Sequence, residues 1–176
     1  MLNIGYPFWP SMRFKPRPFI TPVRFKCLFC LDCCRGRHVY LTVSDIKRLV
    51  GSGHDPQKFL TFSIEGGNIR FVLSVREWDL GCIFHDPGTG KCTIHPIRPL
   101  ICRIYPFMVS KRPLGVEGEE PVQYKGRMLW LYYDESCPGI NSQEGEVITP
   151  EEIAELGVKF EEELSRTTFE DVIKVL

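Results

Sequence analysis

Four cysteines stand within eight residues, in the run Cys27-Leu-Phe-Cys30-Leu-Asp-Cys33-Cys34, and no other feature of the chain limits its fold so tightly. Adjacent Cys33 and Cys34 can pair only as a strained local disulfide, and Cys-x2-Cys is a poor structural disulfide spacing. In a reducing compartment thiols do not pair stably, and a clustered set reads as metal-binding or catalytic. Cys82, Cys92, Cys102 and Cys137 complete a set of eight, below the density of a small secreted disulfide scaffold. All eight are therefore expected to serve as thiolate ligands of a metal centre.

The spacing bears on which metal. A structural zinc site usually joins two short pairs of ligands. This chain offers a run and then singletons, with Cys82, Cys92 and Cys102 ten residues apart. Cys27, Cys30 and Cys33 match the opening Cys-x2-Cys-x2-Cys of a bacterial ferredoxin, which supplies three corners of a cubane cluster. Cys34 follows at once, however, and the one Cys-Pro step, Cys137-Pro138, lies far downstream. An iron–sulfur cluster, [4Fe–4S] by preference, is expected ahead of zinc, held by the front cysteines with Cys102 or Cys137 as the fourth corner. Eight sulfurs also suffice for two four-thiolate zinc ions.

The remaining composition is that of a globular domain: 43% hydrophobic, 25% charged, with 14 Pro and 15 Gly in 176 residues. This excludes collagen-like, coiled-coil and wholly disordered chains. No apolar run approaches the ~20 residues that span a bilayer, and Pro7, Pro10, Pro16, Pro18 and Pro22 leave no apolar signal-peptide core. A cytoplasmic protein with no membrane partner is expected. The net charge of zero hides an asymmetry: residues 1–60 carry ten Lys/Arg against three acids, and residues 141–176 carry ten acids against three bases. Such ends attract an anionic partner or each other.

Three segments follow. Residues 1–24 form a basic arm in which Tyr6, Phe8, Trp9, Phe14 and Phe19 alternate with prolines and with Arg13, Lys15 and Arg17. Proline at this density forbids a helix. The arm is expected to pack along the body; contact with single-stranded nucleic acid is the less favoured use. Residues 25–140 form the cysteine domain, and 141–176 an acidic helical extension packed on it.

Local patterns fill in an α+β fold, a small irregular metal-stabilised domain with short β-hairpins and C-terminal helices. His38–Leu41 alternates as a strand. Thr42 and Asp45 read as the N-cap and third residue of a helix ended by Gly51 and Gly53. Glu65-Gly-Gly-Asn68 reads as a hairpin turn. A second hairpin over 81–95, turning at Asp86-Pro-Gly-Thr-Gly90, is expected to face Cys82 with Cys92. A short helix over 98–105 carries Cys102. A strand over 122–133 is expected to pair with 107–116. Thr149-Pro150-Glu151-Glu152 opens a helix, and a short one follows from Phe169. No nucleotide-binding glycine loop or Walker motif occurs.

The ordered combination Cys-x2-Cys-x2-Cys-Cys, Leu41-Thr42 with Asp45, Cys82-Ile-Phe and Cys92-Thr-Ile-His-x2-Arg98-Pro99-x2-Cys102-Arg103-x-Tyr105-Pro106-Phe107 resembles the CxxCxxCC family. This is the zinc- or iron-chelating domain of the YkgJ-like cysteine cluster proteins. The resemblance runs from residue 25 to about 140, with Cys137-Pro138-Gly139 as the later cysteine. It implies a metal centre. Members are commonly labelled iron–sulfur oxidoreductases, and a similar domain occurs in flagellin lysine methylase, so a metal-dependent activity on an unknown substrate is implied. His95-Pro96 departs from the family's aromatic-acidic pair and adds a candidate ligand. His38 and His85 read as structural or surface residues. Arg98 and Arg103 are expected either to donate to cluster sulfurs or an anionic substrate, or to pair with the acidic tail. The alternative to a redox centre is a zinc-held module that recruits a protein or nucleic-acid partner.

Overall fold

The computed structural model describes residues 14–35 and 37–176. Tyr6, Phe8, Trp9 and Arg13 of the arm lie outside the described residues. The fold is α+β, and it divides into two compact units.

The first unit takes residues up to Cys30 together with Ile104–Val158. Its centre is β9 (Arg127–Asp134), the longest strand. On one edge of β9, β7 (Phe107–Ser110) runs antiparallel, pairing Phe107 with Tyr133 and Ser110 with Trp130. The other edge is shared end to end. β8 (Pro121–Tyr124) pairs with its first half, and β1 (Pro16–Pro18) pairs with Tyr132, Tyr133 and Asp134. An outer strand is where proline is tolerated, because its missing N–H leaves no ladder bond unmade. Phe19, fully buried, packs its ring 4.7 Å from that of Phe107 at a tilt of 41°, and Leu129, Leu131 and Tyr132 add to this core. The strand expected over 122–133 is in fact a hairpin. Lys125 and Gly126 both take positive φ, as a two-residue turn between twisted strands requires. A two-stranded ribbon pairs β2 (Val23–Phe25) with β10 (Glu146–Ile148).

The second unit takes Leu31–Arg103 and Lys159–Leu176. Helix α1 (Val43–Gly51) begins at the expected capping box, with Thr42 and Asp45 bonding each other's backbone N–H. Asp55 caps a one-turn helix α2 (Pro56–Phe59), which leads into β3 (Leu60–Glu65). β3 pairs with β4 (Asn68–Leu73) around Gly66-Gly67, both at positive φ. His38–Leu41 forms no strand. Only Tyr40 bridges to Val72, with flanking bonds from Leu41 N–H to the Phe71 carbonyl and from Leu73 N–H to that of Val39.

The hairpin over 81–95 is shorter than expected: β5 (His85–Asp86) pairs with β6 (Lys91–Cys92). Cys92 therefore faces His85 and not Cys82, which bridges to Val75 instead. A 3-10 turn (His95–Ile97) precedes α3 (Leu100–Ile104). Helix α4 (Pro150–Arg166) opens with the expected cap, Glu152 N–H on Thr149 Oγ1. Phe160 and Leu164 from its second half are buried in this unit, as is Val172 of α5 (Phe169–Ile173). The apolar core runs through Leu41, Ile46, Leu49, Phe59, Phe71, Leu73, Phe84 and Ile94, and it includes Cys82.

Among the described residues no helix is long and apolar enough to cross a membrane.

Candidate metal centre

The cysteine run is bent by two residues that ordinarily avoid left-handed backbone, Phe29 (φ 55°) and Leu31 (φ 74°). Side chains larger than glycine cost roughly 1 kcal/mol there and persist where the surroundings demand them. The turn closes with Cys34 N–H on the Leu31 carbonyl at 2.8 Å, and the Cys33 and Cys34 sulfurs lie 3.7 Å apart. Cys34 O then accepts from Cys82 N–H at 2.6 Å, which ties the run to the loop that carries Cys82.

That loop is shaped by Arg76. Its guanidinium donates to both Asp79 carboxylate oxygens, at 3.0 and 2.7 Å, and to the carbonyls of Cys82 (2.9 Å) and His85. Arg76 N–H bonds the Gly81 carbonyl, closing the loop. A Cβ on Gly81 would sit 2.2 Å from an Arg76 guanidinium nitrogen already held on several sides, so only glycine fits.

Cys102 is placed by α1. The buried Asp45 carboxylate accepts from Leu100 N–H at 3.0 Å, at the start of α3, as well as from Thr42. Arg48 donates to the carbonyls of Ile97 (3.1 Å) and Arg98 (3.0 Å). Two side chains one helical turn apart thus clamp the Arg98-Pro99 step and aim the helix carrying Cys102.

These supports bring Cys33, Cys82, Cys92 and Cys102 within reach of one another's fields. Burial pushes the Cys82 thiol up to about 11, with Cys92 and Cys33 adding to the rise while the Phe84 N–H and Arg76 oppose it. Burial pushes Cys102 well above its usual value, and Cys82, Cys33 and Cys92 push it further. Cys33 is raised by its contact with Cys34 first and by burial second. Three guanidiniums work the other way: Arg37 on Cys33, Arg76 on Cys82 and Arg98 on Cys102. Deprotonated together, these four groups would repel one another, and a bound cation would relieve that repulsion. The donor set suits a thiophilic metal. The sulfurs stand at electrostatic range; among the described residues no three His, Cys, Asp or Glu side chains already form a group that could hold an ion.

The other cysteines lie in the first unit. Cys27 follows β2, whose neighbour Lys26 donates its N–H to the Gly139 carbonyl at 3.1 Å. A Cβ on Gly139 would lie 2.2 Å from the Lys26 carbonyl oxygen, so glycine permits the Cys137-Pro138-Gly139 loop to press on the strand end. Buried Asp134 shapes that loop, accepting from Ser136 N–H (3.0 Å), Tyr105 OH (3.1 Å) and Lys15 N–H (3.2 Å). Cys137 is buried and Cys30 exposed.

Of the arginines, Arg98 contacts His95 and exerts its charge on Cys102, whereas Arg103 Nε donates to the Arg98 carbonyl at 3.2 Å. Burial and Arg98 lower the His95 pKa. His38 is exposed, 3.9 Å from a Glu65 oxygen. Reasoning from spacing missed Arg76 with Asp79, and Arg37. The one cue for the first pair was Arg76-x-x-Asp79-x-Gly81, a short-range arginine–carboxylate pair beside a glycine.

A model of the CxxCxxCC family, described as "Putative zinc- or iron-chelating domain", matches residues 26–138, a span that contains all eight cysteines. The chain belongs to this family. Metal chelation is thus the property of this CxxCxxCC domain. An uncharacterized protein of Methanocaldococcus jannaschii is 27% identical over 130 residues, which are 73% of this chain and 65% of that protein. The chain thus spans somewhat less than two thirds of that relative's length. No solved structure matches.

Proposed function

We propose that Cys33, Cys82, Cys92 and Cys102 hold one iron–sulfur cluster, [4Fe–4S] by preference, and that the protein is an electron-transfer component of an oxidoreductase system. The observation that carries this reading is the convergence of four separate segments: Cys82 is buried in the apolar core, Cys92 and Cys102 pack against it, and Cys33 acts on Cys82 and Cys102 through its charge, with three guanidiniums nearby. No two of these four cysteines have the two-to-four-residue spacing of a zinc knuckle. Four thiolates close the coordination of such a cluster, which favours one-electron chemistry over substrate binding at an open iron. Arg37, Arg76 and Arg98 offset the excess negative charge of the loaded centre, and Arg98 tunes it from beside Cys102. A second reading, a zinc-held recruiting module, is favoured by the Cys27-x2-Cys30 pair and the close approach of the Cys137 loop to Lys26.

Anaerobic purification with visible absorption and analysis of iron, labile sulfide and zinc tests the proposal. A brown protein with about four iron and four sulfide per chain is expected. Cys33→Ser and Cys102→Ser are expected to lose them. A colourless protein with stoichiometric zinc overturns the cluster, and iron retained in both variants overturns the ligand set.

A further inference from the structure

His85 is 5% exposed, and its Nε2 is buried with no hydrogen-bond partner among the described residues. A polar nitrogen in that position costs roughly 1–3 kcal/mol, so it calls for an explanation. The other ring nitrogen supplies one. Nδ1 lies 3.2 Å from an Arg76 guanidinium nitrogen, and a guanidinium only donates. Nδ1 must therefore accept, which places the ring proton on Nε2 and makes the buried atom an N–H donor. Arg76 is fixed in that role by Asp79 and by the carbonyls of Cys82 and His85.

The register of the short hairpin shows what this donor can meet. His85 sits directly across from Cys92 on the β5–β6 ribbon. Directly opposed residues project to the same face with Cβ atoms about 5 Å apart. The imidazole and the Cys92 sulfur are therefore neighbours on that face. Cys92 in turn acts on Cys82 and Cys102 through its charge.

We propose that His85 is a positioning residue of the metal centre: held in one tautomer by Arg76, it would donate its Nε2–H to the Cys92 thiolate when that sulfur binds a metal, and so fix and stabilise the ligand. This rests on the assignment of Cys92 as a ligand. It explains why a histidine with an unanswered donor is buried beside cysteines. An N–H···S bond withdraws charge from a thiolate, and removing such an outer contact typically weakens a metal roughly tenfold or more.

Cobalt(II) titration of the metal-free protein under anaerobic conditions is the test, followed through the thiolate-to-cobalt charge-transfer bands. The wild type is expected to bind cobalt with tetrathiolate bands. His85→Leu is expected to keep their intensity, shift them to lower energy and bind about tenfold more weakly. His85→Gln, which restores an N–H donor at similar reach, is expected to recover most of both. Nitrogen-15 shifts of the histidine rings in cadmium-loaded wild type test the tautomer without any variant, with the proton of His85 expected on Nε2. A proton on Nδ1, or unchanged affinity and bands in His85→Leu, overturns the role of His85 and leaves the thiolate centre standing. A wild type that binds no cobalt, and carries neither iron nor zinc as purified, overturns both.

Discussion

Replacing Asp45 with alanine removes the acceptor at which α1 and α3 meet. The carboxylate is 1% exposed and takes hydrogen bonds from Thr42 N–H (3.1 Å), Thr42 Oγ1 (3.0 Å) and Leu100 N–H (3.0 Å). The capping half of that set contributes about 1 kcal/mol. The Leu100 N–H is buried and bonded to a charged group, and leaving it unanswered costs roughly 2 kcal/mol. Arg48 loses its carboxylate partner but keeps its two carbonyls, so it adds little. The sum is about 3 kcal/mol, a large part of the roughly 5–15 kcal/mol that holds a domain folded. In urea, at a slope of about 2 kcal/mol/M, the midpoint of the metal-free protein should fall by roughly 1.5 M with the slope unchanged. Asp45→Asn keeps one acceptor oxygen and should lose about half as much. Because α3 carries Cys102, the same variant should bind cobalt(II) more weakly than wild type. A midpoint for Asp45→Ala within about 0.3 M of wild type would refute the clamp.

Other consequences follow from the same geometry. Gly139→Ala drives a Cβ onto the Lys26 carbonyl, a backbone atom that cannot swing away, and should cost about 2 kcal/mol; an unchanged melting temperature contradicts this. Hydrogen bonds from Arg76 hold the Asp79 carboxyl down at about 2, against an ordinary 3.8. A depressed carboxyl stabilises the fold above its ordinary value and loses that contribution as pH falls through its folded one. Wild type should therefore melt above Asp79→Asn at pH 5–7, with the gap closing between about pH 4 and pH 2; a gap that persists at pH 2 contradicts the Arg76–Asp79 pairing. Removing the metal with a chelator should lower the melting temperature of wild type and leave a Cys33→Ser, Cys102→Ser double variant unmoved, because ligation and folding are linked. Equal shifts in both would remove those cysteines from the centre.

Features governed by neighbours in the chain were legible in the sequence. The Thr42–Asp45 box, the Gly66-Gly67 turn and the Thr149-Pro150 helix start each depend on contacts within a few residues, and each forms where its residues predict. Pairing register was not legible. Cys82 and Cys92 both flank the Asp86–Gly90 turn, yet the ribbon closes after two residue pairs, and the loop organised by Arg76 carries Cys82 away to Val75. The strand read over 122–133 contains its own reversal at Lys125-Gly126, a turn whose lysine at positive φ gives a weak compositional signal.

Taken alone, then, the amino-acid order determined the chemistry: clustered thiols without disulfide spacing commit the chain to a metal, and a capping box commits Asp45 to the start of α1. Only the tertiary structure decided which distant segments meet. Asp45 reaches 55 residues along the chain to Leu100, Arg76 seats the loop of Cys82, and His85 comes to face Cys92. The physical reason is that a hydrogen bond between distant segments depends on how the intervening chain packs, and local spacing carries no record of that.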